Sequence, residues 1–249
     1  MKILKYIFAL FISASVILAF TSCNDDGYSL DDFTVALATV NSVGAESDGY
    51  FLTLDDGTTL WPAASNGVYV PEVGERVIVN YTVLSDKQGQ YDHFVKINGM
   101  QEILTKDVVD LTAENKDEIG NDPIKILDLW TGDNFLNIHF RINIGGSKTH
   151  TINLVRNKLN VADGDEAIEL EFRHNKNGDE EKYRLNNYAA FNLRSLQVAG
   201  RDSIKLIIKV QDYDNEVKTY PVTYKYNSTL LNKQNKYITD MPETHYQIR

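Results

Sequence analysis

The 249-residue sequence contains 25 basic and 35 acidic residues, which gives a formal net charge of −10 at pH 7. Nucleic-acid-binding proteins need a basic surface, and an acidic chain also repels anionic lipid headgroups. We therefore expect no nucleic-acid partner. The length is sufficient for two domains of ordinary size.

The first 22 residues are arranged like an export signal. Lys2 and Lys5 precede an apolar run over residues 7–20, and two small residues follow it. This run is shorter than the about 20 residues that a membrane-spanning helix requires. The sequence predicts a signal peptide over residues 1–22, and its removal leaves 23 basic against 35 acidic residues.

Cys23, the only cysteine, follows this signal directly. A lone cysteine cannot form an internal disulfide, and residues 19–23 (Ala-Phe-Thr-Ser-Cys) resemble the relaxed lipobox of Bacteroidetes lipoproteins. The resemblance implies that Cys23 becomes an acylated N-terminus, whose acyl chains hold the protein on a membrane. The alternative is an ordinary signal peptide with an incidental cysteine.

Residues 23–32 are polar and acidic, which favours a flexible tether. Within it, Asp25 and Asp26 resemble the acidic signal that directs Bacteroidetes lipoproteins to the outer leaflet of the outer membrane. The resemblance implies an outer-membrane lipoprotein exposed at the cell surface. The periplasmic leaflet is the alternative location.

The fold class predicted from the rest of the chain is all-β. Residues 33–104 show five short apolar segments separated by turns, which is typical of a small Greek-key barrel of the OB type. In the fourth segment Val77, Val79, Tyr81 and Val83 alternate with other residues, so we expect this set to face the core.

The strongest hairpin signal in this domain is Asp56-Gly57, which lies between two β-prone runs. A two-residue loop at this position would place Leu52 opposite Trp61. Trp61 would then share a face with Leu52 and Leu54.

Residues 105–120 are predicted to be a linker with a short helix near 112–118, where acidic residues and good helix formers follow a threonine. Residues 121–249 contain seven further predicted strands, which is typical of an immunoglobulin-like β sandwich. The clearest strand is 136–144, where apolar and polar residues alternate. We expect the two domains to fold independently and residues 230–249 to be a tail or a docked edge segment.

Several segments of the chain resemble the NigD-like lipoproteins of Bacteroidetes. They are 121–124 (Asn-Asp-Pro-Ile), Trp130, 135–140 (Phe-Leu-Asn-Ile-His-Phe), 150–154 (His-Thr-Ile-Asn-Leu), 170–175 (Leu-Glu-Phe-Arg-His-Asn) and 191–193 (Phe-Asn-Leu). The resemblance extends over nearly the whole chain and implies an N-terminal OB domain followed by a C-terminal β sandwich. It implies no catalytic residues, and the family's name refers to a bacteriocin gene cluster.

The sequence lacks the motifs of common catalytic sites: Gly-x-Ser-x-Gly, a Gly-rich phosphate loop, His-Glu-x-x-His and a second cysteine. We therefore predict a protein that is not an enzyme and has no cofactor. His150 and His174 share the strand phase of core aliphatic residues, so we expect ring hydrogen bonds that cap the core and no metal. His139 has the opposite phase and is expected to be exposed.

Acidic turns at 163–166 and 212–216 offer oxygen ligands of the kind that calcium takes. Hairpin turns need no ion, so we predict no metal site. Most tyrosines follow strand phase and are expected to pack on sheet faces. The sequence Asp202-Ser203-Ile204 resembles a Bacteroidetes O-glycosylation sequon and makes Ser203 a candidate for modification, although a turn entering a strand also explains it.

The leading hypothesis from the sequence is a non-catalytic lipoprotein, anchored to the membrane through Cys23, that acts as a binding or scaffold module for a protein or glycan partner. The alternative is a component of a bacteriocin or antagonism system, either an effector or a protective lipoprotein. A glycan-active enzyme is the third hypothesis.

Overall fold

The computed structural model describes residues 29–44, 49–157, 167–226 and 238. Apart from one short helix and a 3-10 turn at Arg194–Leu196, the regular structure of these residues is β. The strands and the helix are, in chain order, β1 (Thr34–Ser42), β2 (Tyr50–Leu54), β3 (Thr59–Ser65), β4 (Arg76–Ser85), β5 (His93–Glu102), β6 (Leu104–Asp107), β7 (Val109–Leu111), α1 (Lys116–Ile119), β8 (Lys125–Gly132), β9 (Phe135–Ile144), β10 (Thr151–Asn157), β11 (Ala167–Asn175), β12 (Tyr183–Asn192), β13 (Ser203–Gln211) and β14 (Val217–Lys225).

The first five strands form a closed barrel in the order β1-β2-β3-β5-β4. Its interior is apolar, and the alternation predicted for the fourth strand is confirmed. Val77 and Val79 are fully buried, Tyr81 is buried, and Val83 packs against this core from a partly buried position. The five-stranded barrel predicted from the sequence is therefore confirmed.

The register predicted for the β2–β3 hairpin is wrong by one residue. Leu52 lies opposite Leu60, not opposite Trp61. The turn contains three residues, because the Gly57 N–H donates to the Leu54 carbonyl and Gly57 has a φ of +88°, a geometry typical of a three-residue hairpin loop with a bulge. Leu60 therefore enters the core, and Trp61 lies on the outside of the barrel.

The remaining strands form a sandwich. A five-stranded sheet (β14-β13-β11-β10-β7) packs against a four-stranded sheet (β6-β12-β9-β8). The apolar side of β9 faces the space between the sheets, as the alternation predicts. Three phenylalanines pack edge to face in this core, with centroid separations of 5.6 Å for Phe140–Phe172 and 5.9 Å for Phe172–Phe191. The predicted fold class, a barrel followed by a β sandwich, is confirmed.

The segment 105–120, predicted as a linker, contains the expected helix α1 and also strands that the sequence analysis did not predict. β6 pairs in parallel with β12, and β7 pairs in parallel with β10. Only Ile103 separates β5 from β6, and only Val108 separates β6 from β7. The chain therefore passes from the barrel into the four-stranded sheet and then into the five-stranded sheet through connections of one residue each.

An apolar cluster joins the barrel to the sandwich. Its buried members are Leu37, Ile78 and Ile103 from the barrel side, Phe135, Tyr188 and Ala190 from the sandwich, and Ile238 from the C-terminal segment. The N–H of Ile238 donates a hydrogen bond to the carbonyl of Val35 at 3.0 Å. This residue of the predicted tail is therefore docked against the first strand.

A buried ion pair lies beside this cluster. The guanidinium of Arg76, which is fully buried, contacts the carboxylate of Asp55. Asp55 also accepts hydrogen bonds from Trp130 Nε1 at 2.7 Å and from Asn137 Nδ2 at 3.3 Å, both of which belong to the sandwich. A Cβ at Gly132 would collide with the Asp55 side chain, so this position requires glycine. The hydrogen bonds of Asp55 to Trp130 and Asn137 therefore determine the relative position of the barrel and the sandwich.

Because β6 and β7 pair with strands of the sandwich, we predict that the segment predicted as a linker contributes to the stability of the sandwich. We expect a fragment of residues 104–249 to fold, and a fragment of residues 121–249 to melt at least about 5 °C lower, because it leaves the edges of β12 and β10 unpaired. Thermal melts followed by circular dichroism measure the difference. Equal melting temperatures would show that these two strands contribute nothing.

Candidate functional site

Four aromatic side chains form a cluster on the outer surface of the barrel. Tyr91, in the loop between β4 and β5, is its centre: its ring centroid lies 4.8 Å from that of Trp61, 5.4 Å from Phe51 and 6.4 Å from Phe94. All four side chains are partly exposed. We call this cluster the aromatic face.

Strand alternation explains why these side chains point outward. Phe51, Trp61 and Phe94 each neighbour a residue that is fully buried in the barrel core: Leu52, Leu60 and Val95, respectively. Since successive strand residues point to opposite faces, the three aromatics lie on the outside. Sequence reasoning missed this face because the one-residue error in the hairpin register placed Trp61 with the wrong neighbours.

A clamp between the β4–β5 loop and β3 holds Tyr91 in position. The carboxylate of Asp92 accepts hydrogen bonds from the N–H of Thr59 at 2.9 Å and from its hydroxyl at 2.7 Å, and the Asp92 N–H donates to the Thr59 carbonyl at 3.1 Å. These hydrogen bonds lower the pKa of Asp92, so the carboxylate is ionised at neutral pH. The Tyr91 hydroxyl also lies 2.9 Å from Gln90 Nε2, which donates to it.

The aromatic face can be compared with the surface on which OB barrels bind ligands. OB barrels bind oligonucleotides and oligosaccharides on the face of their second and third strands and with the loops between strands one and two and between strands four and five. Phe51 lies on β2, Trp61 on β3 and Tyr91 in the β4–β5 loop. The aromatic face thus occupies the surface that this fold uses for ligands.

The two histidines singled out from the sequence form a buried hydrogen-bonded chain. His150 Nε2 lies 3.1 Å from a carboxylate oxygen of Asp179, and His150 Nδ1 lies 2.8 Å from His174 Nε2. His174 Nδ1 lies 3.0 Å from the carbonyl oxygen of Pro123. Both histidines are 2% exposed, and Asp179 is 4% exposed. The ring hydrogen bonds expected from strand phase are present, and Asp179 is a partner that the sequence analysis did not identify.

Asp179 is the charged end of this hydrogen-bonded chain. Its carboxylate accepts hydrogen bonds from the Ser147 hydroxyl (2.6 Å) and from the N–H groups of Gly145 (2.6 Å) and Gly146 (3.0 Å). These hydrogen bonds lower the pKa of Asp179 and keep it ionised.

Burial lowers the pKa of His174 to about 4, so His174 is neutral and carries its proton on Nδ1, facing Pro123. The His150 ring lies between Asp179 and His174, within hydrogen-bonding distance of both. The chain is closed from solvent and ends at a main-chain carbonyl, so its role is to join the 145–147 turn, β11 and the segment before β8.

We expect stability to fall as the pH drops from about 6.5 towards 4. In that window the unfolded chain protonates His174 while the folded chain does not, which costs up to about 3 kcal/mol. The charged groups facing His174 are Asp122, Glu181 and His150. Chemical denaturation at several pH values measures the slope, which His174→Gln should remove.

Imidazole nitrogen NMR shifts provide a second check on the state of His174. At neutral pH, His174 should show one protonated ring nitrogen, at Nδ1. Two protonated ring nitrogens on His174 would contradict the lowered pKa.

Where the structure describes them, the other residues predicted from the sequence take no part in these histidine hydrogen bonds. Cys23, Asp25 and Asp26 lie outside the described residues, as does the whole acidic turn at 163–166. Ser203 is exposed at the first position of β13, where O-glycosylation stays a prediction. His139, predicted to be exposed, is partly exposed, and its ring stacks on Tyr188 at a centroid separation of 4.3 Å.

The acidic turn at 212–216 uses its carboxylates within the protein. Asp212 accepts a hydrogen bond from the N–H of Tyr213, and Asp214 pairs with Lys218 at 2.7 Å. Among the residues that the structure describes, no group of three or more histidine, cysteine or acidic side chains is arranged to hold a metal ion. The same residues include no helix long and apolar enough to cross a membrane.

A small barrel followed by a β sandwich defines a two-domain, all-β class of protein. Comparison of the sequence with protein families identifies one family within this class. Residues 37–103 match the NigD-like N-terminal OB domain, and residues 107–224 match the NigD-like C-terminal beta sandwich domain. The chain therefore belongs to the NigD-like family. No curated protein matches it.

Solved structures agree with this assignment. A Parabacteroides distasonis protein described as toxin-related is 34% identical, with a TM-score of 0.68 over 80% of this chain and 96% of its own. A NigD-like immunity protein from Bacteroides caccae is 20% identical (TM-score 0.60, 80% and 99%), and a Bacteroides fragilis protein described as a lipoprotein is 13% identical (TM-score 0.58, 78% and 99%). The last two comparisons establish the fold alone.

Proposed function

We propose that this chain is a non-catalytic lipoprotein of the outer membrane, exposed at the cell surface, whose aromatic face binds a glycan. The observation that carries the proposal is the aromatic face itself, positioned on the ligand surface of an OB barrel. The acidic charge of the chain argues against the other ligand class of that surface, nucleic acid.

The chemistry of the face suits a saccharide. The apolar C–H side of a sugar ring can pack against a partly exposed aromatic ring, while neighbouring polar groups bind its hydroxyls. Gln90 adjoins Tyr91, and Asn41 lies opposite Phe51 on β1, hydrogen-bonded to Thr53. The aromatic face therefore combines aromatic rings, which can pack against a sugar ring, with neighbouring amide groups, which can bind its hydroxyls.

Trp61→Ala should weaken glycan binding by at least about tenfold, because the largest ring of the face is lost. The parent protein is screened on an array of bacterial surface oligosaccharides, and the best ligand is titrated by calorimetry against both proteins. Tyr183→Ala is the matched control, since Tyr183 is an exposed aromatic residue on β12 of the sandwich. Binding that survives Trp61→Ala would rule out the aromatic face as the glycan site.

The anchor is tested separately from the ligand. Cys23→Ala should abolish acyl labelling and release the protein from membranes, since the acidic chain has no other predicted anchor. Replacing Asp25 and Asp26 with alanine should preserve labelling but protect the protein from protease added to whole cells. Unchanged membrane partitioning of Cys23→Ala would contradict the lipoprotein proposal.

A role in a bacteriocin or antagonism system is the second candidate. A protein 34% identical to this chain is described as toxin-related, and a more distant structural neighbour is named an immunity protein. Deletion of the gene should then change the sensitivity of the cells to a toxin of neighbouring strains, whereas the glycan proposal expects no such change.

A further inference from the structure

The loop between β3 and β4, residues 66–75, displays apolar side chains to solvent. We call it the valine loop. Val68 is 94% exposed, Val70 is 86% exposed and Val73 is 62% exposed. Single exposed apolar residues are ordinary, but several on one short segment are typical of an interaction surface.

The valine loop is held in place at both ends. The N–H of Asn66 donates to the carbonyl of Ile97, and the N–H of Gly74 donates to the carbonyl of Val40, each at 2.9 Å. Between these anchors the ring of Tyr69 packs against the barrel core. The loop thus partly buries its tyrosine and presents its valines between two anchored ends, which reduces the ordering cost of binding a partner.

The charged residues of the valine loop and of the groove beside it are acidic. Glu72 and Glu75 belong to the loop, and Glu102 lines a shallow groove with Val68, Val70 and Met100. The segment 66–75 contains no basic residue. The next residue, Arg76, is buried and paired with Asp55, so it does not neutralise this surface.

We propose that the valine loop docks an apolar, cationic peptide segment of another protein. Apolar side chains of that segment cover the valines, and its lysine or arginine residues face the glutamates, a complementarity that favours encounter and orientation. A second copy of this chain is a poor occupant because it carries the same acidic loop, and a bilayer with anionic headgroups is repelled in the same way. The proposal is independent of glycan binding, since the loop and the aromatic face are different surfaces.

The test uses the mature full-length protein and a labelled synthetic peptide of leucine and lysine that forms an amphipathic helix. Fluorescence anisotropy should detect binding, and a leucine–glutamate peptide of the same length should not bind. The double variants Val68→Ser with Val70→Ser and Glu72→Gln with Glu102→Gln should each weaken binding by about tenfold or more.

Control variants separate the loop from the overall acidic charge. Val217→Ser and Glu118→Gln alter exposed residues outside the loop, on β14 and α1, and should bind like the parent. Equal binding by parent and loop variants, or an equal loss in the controls, would overturn the proposal. It would also be overturned if the valine substitutions dissociated a dimer in light scattering or abolished binding to zwitterionic vesicles.

Discussion

The buried contact between Arg76 and Asp55 sets how the two domains are arranged. An ion pair removed from water stabilises a structure only when its remaining hydrogen-bonding groups find partners. Trp130 and Asn137 from the sandwich donate to the carboxylate, and Thr39 accepts from the guanidinium, whose Nε alone is left without a partner. Asp55 immediately follows β2, the strand whose other end carries Phe51 of the aromatic face. The contact that positions the sandwich therefore also determines the direction in which the aromatic face points.

Much of the architecture could be predicted from the sequence because it depends on alternation. The barrel, the core side of β9 and the order of domains follow from apolar periodicity within single strands. β6 and β7 could not be predicted, because each is short, partly polar and stabilised by parallel pairing with a strand far along the chain. The hairpin register failed for a different reason: loop length decides it, and Asp55-Asp56-Gly57 forms a three-residue turn.

In the candidate sites, too, features within one strand could be predicted from the sequence, and features formed by several segments could not. Strand phase placed His150 and His174 inside, and both are buried. It could not reveal that Asp179, which follows a turn, would complete a buried chain of hydrogen bonds with the two histidines. The aromatic face is likewise assembled from three strands and a loop, so no local pattern contains it. A site formed by one segment can be predicted from the sequence. A site formed by several segments can be predicted only if the register of the paired strands is predicted correctly.

The contact between Ile238 and Val35 has a consequence for the timing of folding. A chain synthesised from its N-terminus can form local hairpins early, but contacts between distant segments must wait for the later segment to emerge. Residues 104–107 pair with 189–192, and the first barrel strand receives a hydrogen bond from residue 238. The pairing of β6 with β12 therefore forms only after residue 192 has emerged, and β1 receives the hydrogen bond from Ile238 only after residue 238 has emerged. The local hairpins of the barrel therefore form well before the contacts that tie the barrel to the C-terminal segment.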